Sequence, residues 1–148
     1  YMEEQHITYD KIDTLARDIA RRVQDKDGIS HVVGLARGGL IPATIISYTL
    51  DTPLLSYGIS SYKGSKKTDN FHINQALNLI DLPRNAHLLV VDDICDTGDT
   101  IKHITQKLAL ANIKYTTACI CTKEKHKKWL DYYGLVVTDN KWIVFPWE

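Results

Sequence analysis

The chain has 148 residues, enough for one domain, since domains run to roughly 100–200 residues and one of this size buries roughly 68–70% of its unfolded surface without a disulfide or metal staple. It is 44% hydrophobic and 24% charged with eight glycines and four prolines, which excludes a fibrous repeat or a disordered chain. Eighteen Lys+Arg balance 18 Asp+Glu, and that zero formal charge argues against nucleic-acid binding through bulk charge.

Tyr1, ahead of Met2, reads as an addition to the natural start. Ile12, Leu15, Ala16, Ile19, Ala20 and Val23 then recur at helical spacing, with Thr8 or Asp10 placed to cap the start and Asp27-Gly28 to end it. Residues 31–36 form a short apolar run, hence a buried strand, which stops at Arg37-Gly38-Gly39. A helix over 40–50 follows, with Pro42 in its first turn. A second strand spans 54–59, and the polar stretch 60–74, with Lys63, Gly64, Lys66 and Lys67, has the composition of a loop or ribbon. Beyond it the pattern predicts a strand at 87–91, a helix over about 98–112, and strands at 115–122, 133–138 and 142–145. Strands alternating with helices predict an α/β fold with a mainly parallel sheet in a single domain over 1–148.

Three cysteines cannot close a disulfide set and include no CxxC pair. Cys119 and Cys121, two apart in a strand, are expected to share one face as small packing residues. The sequence has neither an apolar run near 18 residues nor a cleavable signal pattern, and we expect a soluble protein of the reducing cytoplasm, without a membrane span.

The most informative stretch is residues 88–100, Leu-Leu-Val-Val-Asp-Asp-Ile-Cys-Asp-Thr-Gly-Asp-Thr. Its aliphatic run belongs in the centre of the sheet, buried on both faces, and ligands of open α/β sheets bind beyond the carboxyl ends of such strands. Asp92 and Asp93 fall there. Thr97-Gly98-Asp99-Thr100 then opens a helix, where unpaired N–H groups and hydroxyls make an anion cradle. Carboxylates repel phosphate, so they face a diol, a metal ion or a transferable proton instead. A sugar phosphate meets that demand, with its 5′-phosphate in the cradle and its 2′- and 3′-hydroxyls on Asp92 and Asp93. A P-loop or a dinucleotide-binding turn would need Gly-Lys-Ser/Thr or G-x-G-x-x-G, and neither occurs.

This stretch resembles the phosphoribosyl-diphosphate signature of the type I phosphoribosyltransferases, and the surrounding order of elements resembles their 6-oxopurine branch, the bacterial xanthine-guanine enzymes above all. The resemblance implies their single-domain fold, with a flexible catalytic loop at 60–74 and a base-binding region at 123–148. It implies Mg2+-dependent transfer of a phosphoribosyl group from 5-phosphoribosyl 1-diphosphate to N9 of guanine, xanthine or hypoxanthine. By resemblance, Asp92 and Asp93 hold the ribose, with Asp93 the magnesium contact, and Asp96 exchanges a proton with purine N7. Thr97, Gly98, Asp99 and Thr100 cradle the 5′-phosphate; Asp99 departs from a common glycine and must point to solvent. Arg37 and Gly38 meet the pyrophosphate, joined by Ser61 and Tyr62 from the loop, while Ala36 replaces a small polar residue. Lys123 donates to the purine 6-carbonyl, Trp142 stacks on the ring, Ile143 covers its edge, and Glu148 accepts from N1–H or a 2-amino group. A homodimer or homotetramer is implied too. Two other readings stay open: transfer to another base, and a sensor that keeps the sugar-phosphate pocket without catalysis.

Overall fold

The computed structural model describes residues 2–24, 28–61 and 71–148. The chain runs β1 (Glu3–His6), α1 (Tyr9–Gln24), β2 (His31–Ala36), α2 (Leu40–Leu50), β3 (Leu54–Ser61), β4 (Phe71–Gln75), β5 (His87–Cys95), α3 (Asp99–Leu110), β6 (Lys114–Lys123), β7 (Tyr132–Val137) and β8 (Lys141–Val144). Short 3-10 segments lie at Leu79–Asp81 and Glu124–Trp129. Among the described residues a six-stranded sheet has the order β4-β3-β2-β5-β6-β7, parallel throughout except for the β3–β4 pair. The α/β fold and its mainly parallel sheet are therefore as expected.

The apolar strands are buried on both faces because side chains alternate along them. On β5, Leu89 and Val91 join Val32 of β2, Ala118 and Ile120 of β6, and residues of α1 and α2 in one cluster. Leu88 and Val90 join Val33, Leu35 and Cys119, with Ile101, Ile104 and Leu108 of α3, in a second cluster on the other face. Each such aliphatic side chain contributes roughly 1.5–3 kcal/mol on full burial. Helix α1 buries the six residues that its spacing predicts, and Thr8 Oγ1 accepts from the Lys11 N–H at 3.1 Å as its cap.

Several expectations need correction. Strand β5 runs to Cys95 rather than Val91, so Asp92 and Asp93 sit on the strand and not beyond it. Strand β3 extends to Ser61 rather than Ile59, and β4 pairs with it antiparallel, so the described ends of the 60–74 stretch take the ribbon form of the two expected. The rest of that segment, residues 62–70 with Tyr62, lies outside the described residues. Cys119 packs in the second cluster and Cys121 in the first, so they do not share a core. Burial raises both thiols, Cys121 to about 12, which makes both unreactive at neutral pH.

Strand β1 was not expected, because Glu-Glu-Gln-His has no strand-like alternation. It forms by pairing in parallel with β8, more than a hundred residues away, with Glu4 opposite Trp142 and Gln5 opposite Ile143.

Candidate active site

The carboxyl end of β5 is held by its own side chains. Asp92 Oδ1 accepts from the Asp93 N–H at 2.8 Å, and Asp93 Oδ1 accepts from the Ile94 N–H at 2.7 Å. These bonds fix both carboxylates at the sheet end. Burial, and then the charge of Asp93, hold the Asp92 carboxyl well above the usual carboxylate range. Burial also raises Asp93, with Glu148 adding repulsion.

After the strand the backbone turns sharply. Gly98 has φ +85°, a conformation that favours glycine, and it caps α3 without any side-chain hydrogen bond. Asp96 is thus not the helix cap. Thr97 Oγ1 accepts the Asp99 N–H at 3.2 Å. A cleft of about 340 Å³ is lined by Asp92, Asp93, Asp96, Thr97, Gly98 and Thr100, bringing the acids and the turn to one place. Asp99 is exposed and does not line it.

A second cleft of about 500 Å³ is lined by Arg37, Gly38, Ile41, Asp93, Trp147 and Glu148. The Ala36–Arg37 peptide bond is cis. A Cβ on Gly38 would overlap Asp93 Oδ2, so any side chain here would have to displace the acid.

The third and largest cleft, about 730 Å³, is lined by Asp93, Asp96 and Thr97 on one side and by Lys123, Trp142, Ile143 and Glu148 on the other. Lys123 is buried, not a solvated member of its charged run, and its Nζ donates to the carbonyls of Thr138 (3.1 Å) and Lys141 (3.4 Å). Trp142 is 58% exposed, so its ring is not a core residue. Ile143 is buried in the first core cluster, and one edge of its strand is taken by β1. Glu148 lines this cleft, but its Oε1 is engaged by the Phe145 N–H at 2.9 Å. Ser61 ends β3; its side chain and Tyr62 lie outside the described residues.

Asp93 lines all three clefts. Sequence reasoning missed Met2 and Ile94, which also line the largest one; His126 and Phe145 line it too and fall inside the expected 123–148 region without having been singled out. Ile94, set between the acids and Asp96, carried a local signal. Met2 carried none, since only the β1–β8 pairing brings it there.

The arrangement can be set beside known proteins. The profile of the phosphoribosyl transferase domain matches residues 2–148. A xanthine-guanine phosphoribosyltransferase of Gluconobacter oxydans is 30% identical over 148 residues, covering 96% of this chain and 83% of that protein. One of Idiomarina loihiensis is 27% identical over 146 residues, covering 98% and 87%. Among solved structures, the crystal structure of a purine phosphoribosyltransferase from Pyrococcus horikoshii superposes with TM-score 0.84 at 30% identity, covering 99% of this chain and 95% of that one. With the acids of β5, the glycine turn and the basic loop gathered at one sheet end, and with these similarities spanning nearly its whole length, the chain belongs to the phosphoribosyl transferase domain family.

Proposed function

We propose that the three clefts meeting at Asp93 are the subsites of one purine-salvage reaction. A 6-oxopurine (guanine, xanthine or hypoxanthine) attacks C1′ of 5-phosphoribosyl 1-diphosphate through N9. The C1′–oxygen bond to pyrophosphate breaks, and a nucleoside 5′-monophosphate forms. The observation that carries this reading is the shared wall: one carboxylate, Asp93, borders the acid-and-turn cleft, the Arg37–Gly38 cleft and the Lys123–Trp142 cleft. A substrate with a phosphate, a diol and a diphosphate needs such adjacent sites, and its acceptor base needs a third.

In this reading the turn at residues 96–100 takes the 5′-phosphate on backbone N–H groups. Asp92 and Asp93 accept from the ribose hydroxyls. Arg37 offers a forked guanidinium that matches paired phosphate oxygens, and Gly38 offers unobstructed backbone. Trp142 supplies an exposed ring for stacking, and Ile143 closes the floor. Lys123 carries only donors, so it favours a 6-carbonyl over the amino group of adenine. Glu148 accepts through Oε2, because Oε1 is held by Phe145. Asp96, exposed beside the base cleft, moves the N7 proton, a contribution worth roughly 10²–10⁴-fold in rate.

The donor set fits magnesium, a hard cation commonly held by one or two carboxylates together with substrate phosphates. Burial raises Asp92 and Asp93, with the charge of Asp93 adding to the first and that of Glu148 to the second, and a cation would offset both. Asp93 would hold it. When bound, it neutralises the leaving pyrophosphate oxygens.

No helix of the described residues is long and apolar enough to cross a membrane, and a cytoplasmic enzyme of two or four copies completes the proposal. Helix α2 carries no charged residue and leaves Tyr48 83% exposed, a face that a second copy would cover. The test is pyrophosphate release with Mg2+, the phosphoribosyl donor and each purine in turn. Release with 6-oxopurines and not with adenine is expected. No release with any 6-oxopurine overturns the reading.

A further inference from the structure

The 3-10 segment Glu124–Trp129 packs behind the turn that opens α3. A Cβ built on Gly98 would stand 3.2 Å from Trp129 Cδ1 and 3.7 Å from His126 Nδ1, so both rings rest on the bare face of that glycine. Lys102, in the first turn of α3, places its ammonium 4.3 Å from the centre of the Trp129 ring and ties the segment to the helix. His126 lines the base cleft beside Asp96, Thr97 and Lys123, but it does not line the smaller cleft that holds the cradle. It therefore supports the turn from the side away from the phosphate.

His126 Nδ1 is buried without a hydrogen-bond partner, the one such side-chain atom among the described residues. A ring nitrogen is a donor or an acceptor in every tautomer, so this one has been stripped of water with nothing in return. It is sealed from solvent as the turn now stands, and the Gly98 turn lies against it. That turn is bonded to itself: Thr97 Oγ1 holds the Asp99 N–H. On the reading of this turn as the phosphate site, a phosphate monoester takes backbone N–H groups that the turn presents to the cleft, and the backbone around Gly98 rearranges to offer them.

We propose that His126 is a positioning residue for the phosphate turn. Its Nδ1 is unpaired while the cradle is empty and gains its hydrogen bond when the turn rearranges around the donor's 5′-phosphate. The missing bond biases the turn toward its filled form, so part of the affinity for the phosphoribosyl donor comes from a side chain that never touches it. This inference rests on the reading of residues 96–100 as the phosphate site.

The test uses the full chain with ribose 5-phosphate as probe. Imidazole nitrogen NMR should show His126 Nδ1 shifting together with the Gly98 amide as the probe binds. His126→Phe should raise the KM for the phosphoribosyl donor by about 2- to 13-fold, the scale of one hydrogen bond, and by more than it raises the KM for the purine, whose cleft His126 also lines. The empty Phe variant should melt no lower than the parent, since its unpaired nitrogen is gone, and should gain less in Tm from the probe. His126→Asn, whose amide reaches the Nδ1 position, should recover donor affinity; His126→Gln, which reaches Nε2, should not. A Gly98 amide that moves while Nδ1 stays still overturns the inference alone, as does an unchanged donor KM in His126→Phe or an equal loss for the purine. A Gly98 amide that ignores saturating probe overturns the phosphate reading itself.

Discussion

The ammonium of Lys123 lies 4.0 Å from Oδ1 of Asp96, although the two side chains live in opposite surroundings: Lys123 is 8% exposed and Asp96 58%. Two of the three Lys123 donors go to the carbonyls of Thr138 and Lys141, which leaves the third for the cleft shared with Asp96. Lys123→Met should therefore do two things. Purine kcat/KM should fall by about 10–150-fold, the range for a hydrogen bond from a charged group. Melting temperature should drop as well, because two carbonyls lose their donor. Steady-state kinetics in both substrates separates the roles: an equal rise in donor and purine KM would assign Lys123 to stability alone.

Asp96 makes no capping bond to α3, so its replacement should not cost the helix. Asp96→Asn should lower kcat by roughly 10²–10⁴-fold, the value of a lost proton-transfer group. Donor binding, measured by titration calorimetry without purine, should be largely retained. Undiminished turnover would remove the proton-transfer role.

The acids of β5 make an opposite claim about stability. Burial and Asp93 raise the Asp92 carboxyl, so the folded protein holds that proton more tightly than the unfolded chain does. Such a group contributes stability that is complete below the unfolded pKa of about 3.9 and disappears as pH climbs through the raised folded value. The Tm of the ligand-free protein should decline across that window. Asp92→Asn should flatten the decline and lift Tm at neutral pH, at roughly 2–4 °C per kcal/mol, while weakening the donor. Parallel Tm–pH curves for parent and variant would show that Asp92 carries no such burden.

Gly38 has no room for a side chain, since a methyl group would overlap Asp93 Oδ2. Gly38→Ala should push Asp93 off the Ile94 N–H and raise donor KM by roughly 5–150-fold, the cost of a disrupted buried hydrogen bond. Purine KM should change little. Wild-type donor KM in this variant would mean that the loop and the acid are not coupled.

Trp142 gives the complementary case of a residue exposed in the free protein. Trp142→Ala should leave Tm almost unchanged and cost roughly 1–3 kcal/mol of base binding, the value of one stacking contact. Fluorescence quenching on guanine titration should weaken accordingly. A large loss of Tm would return Trp142 to a structural role.

Much of this site could be read in one dimension, because its parts are contiguous. The aliphatic run of β5, the acid pair, Gly98 and the start of α3 follow one another in thirteen residues, and each property is local: alternation, charge, backbone freedom, unpaired N–H groups. The six buried positions of α1 were equally legible from their period. Strand ends were not, since Asp92–Cys95 continue the strand only because β6 lies alongside.

Local chemistry along the chain was enough to write down the parallel α/β layering and the acid-and-glycine turn at the end of β5, since hydrophobic period and motif spacing survive without knowledge of neighbours. Folding in three dimensions assigned the rest. It buried Lys123 on the carbonyls of Thr138 and Lys141, laid Gly38 on Asp93, tied one oxygen of Glu148 to Phe145 and paired a polar N-terminal strand with β8. Those are contacts between segments distant in sequence. They follow from which surfaces exclude water together, and no single stretch of chain contains that information.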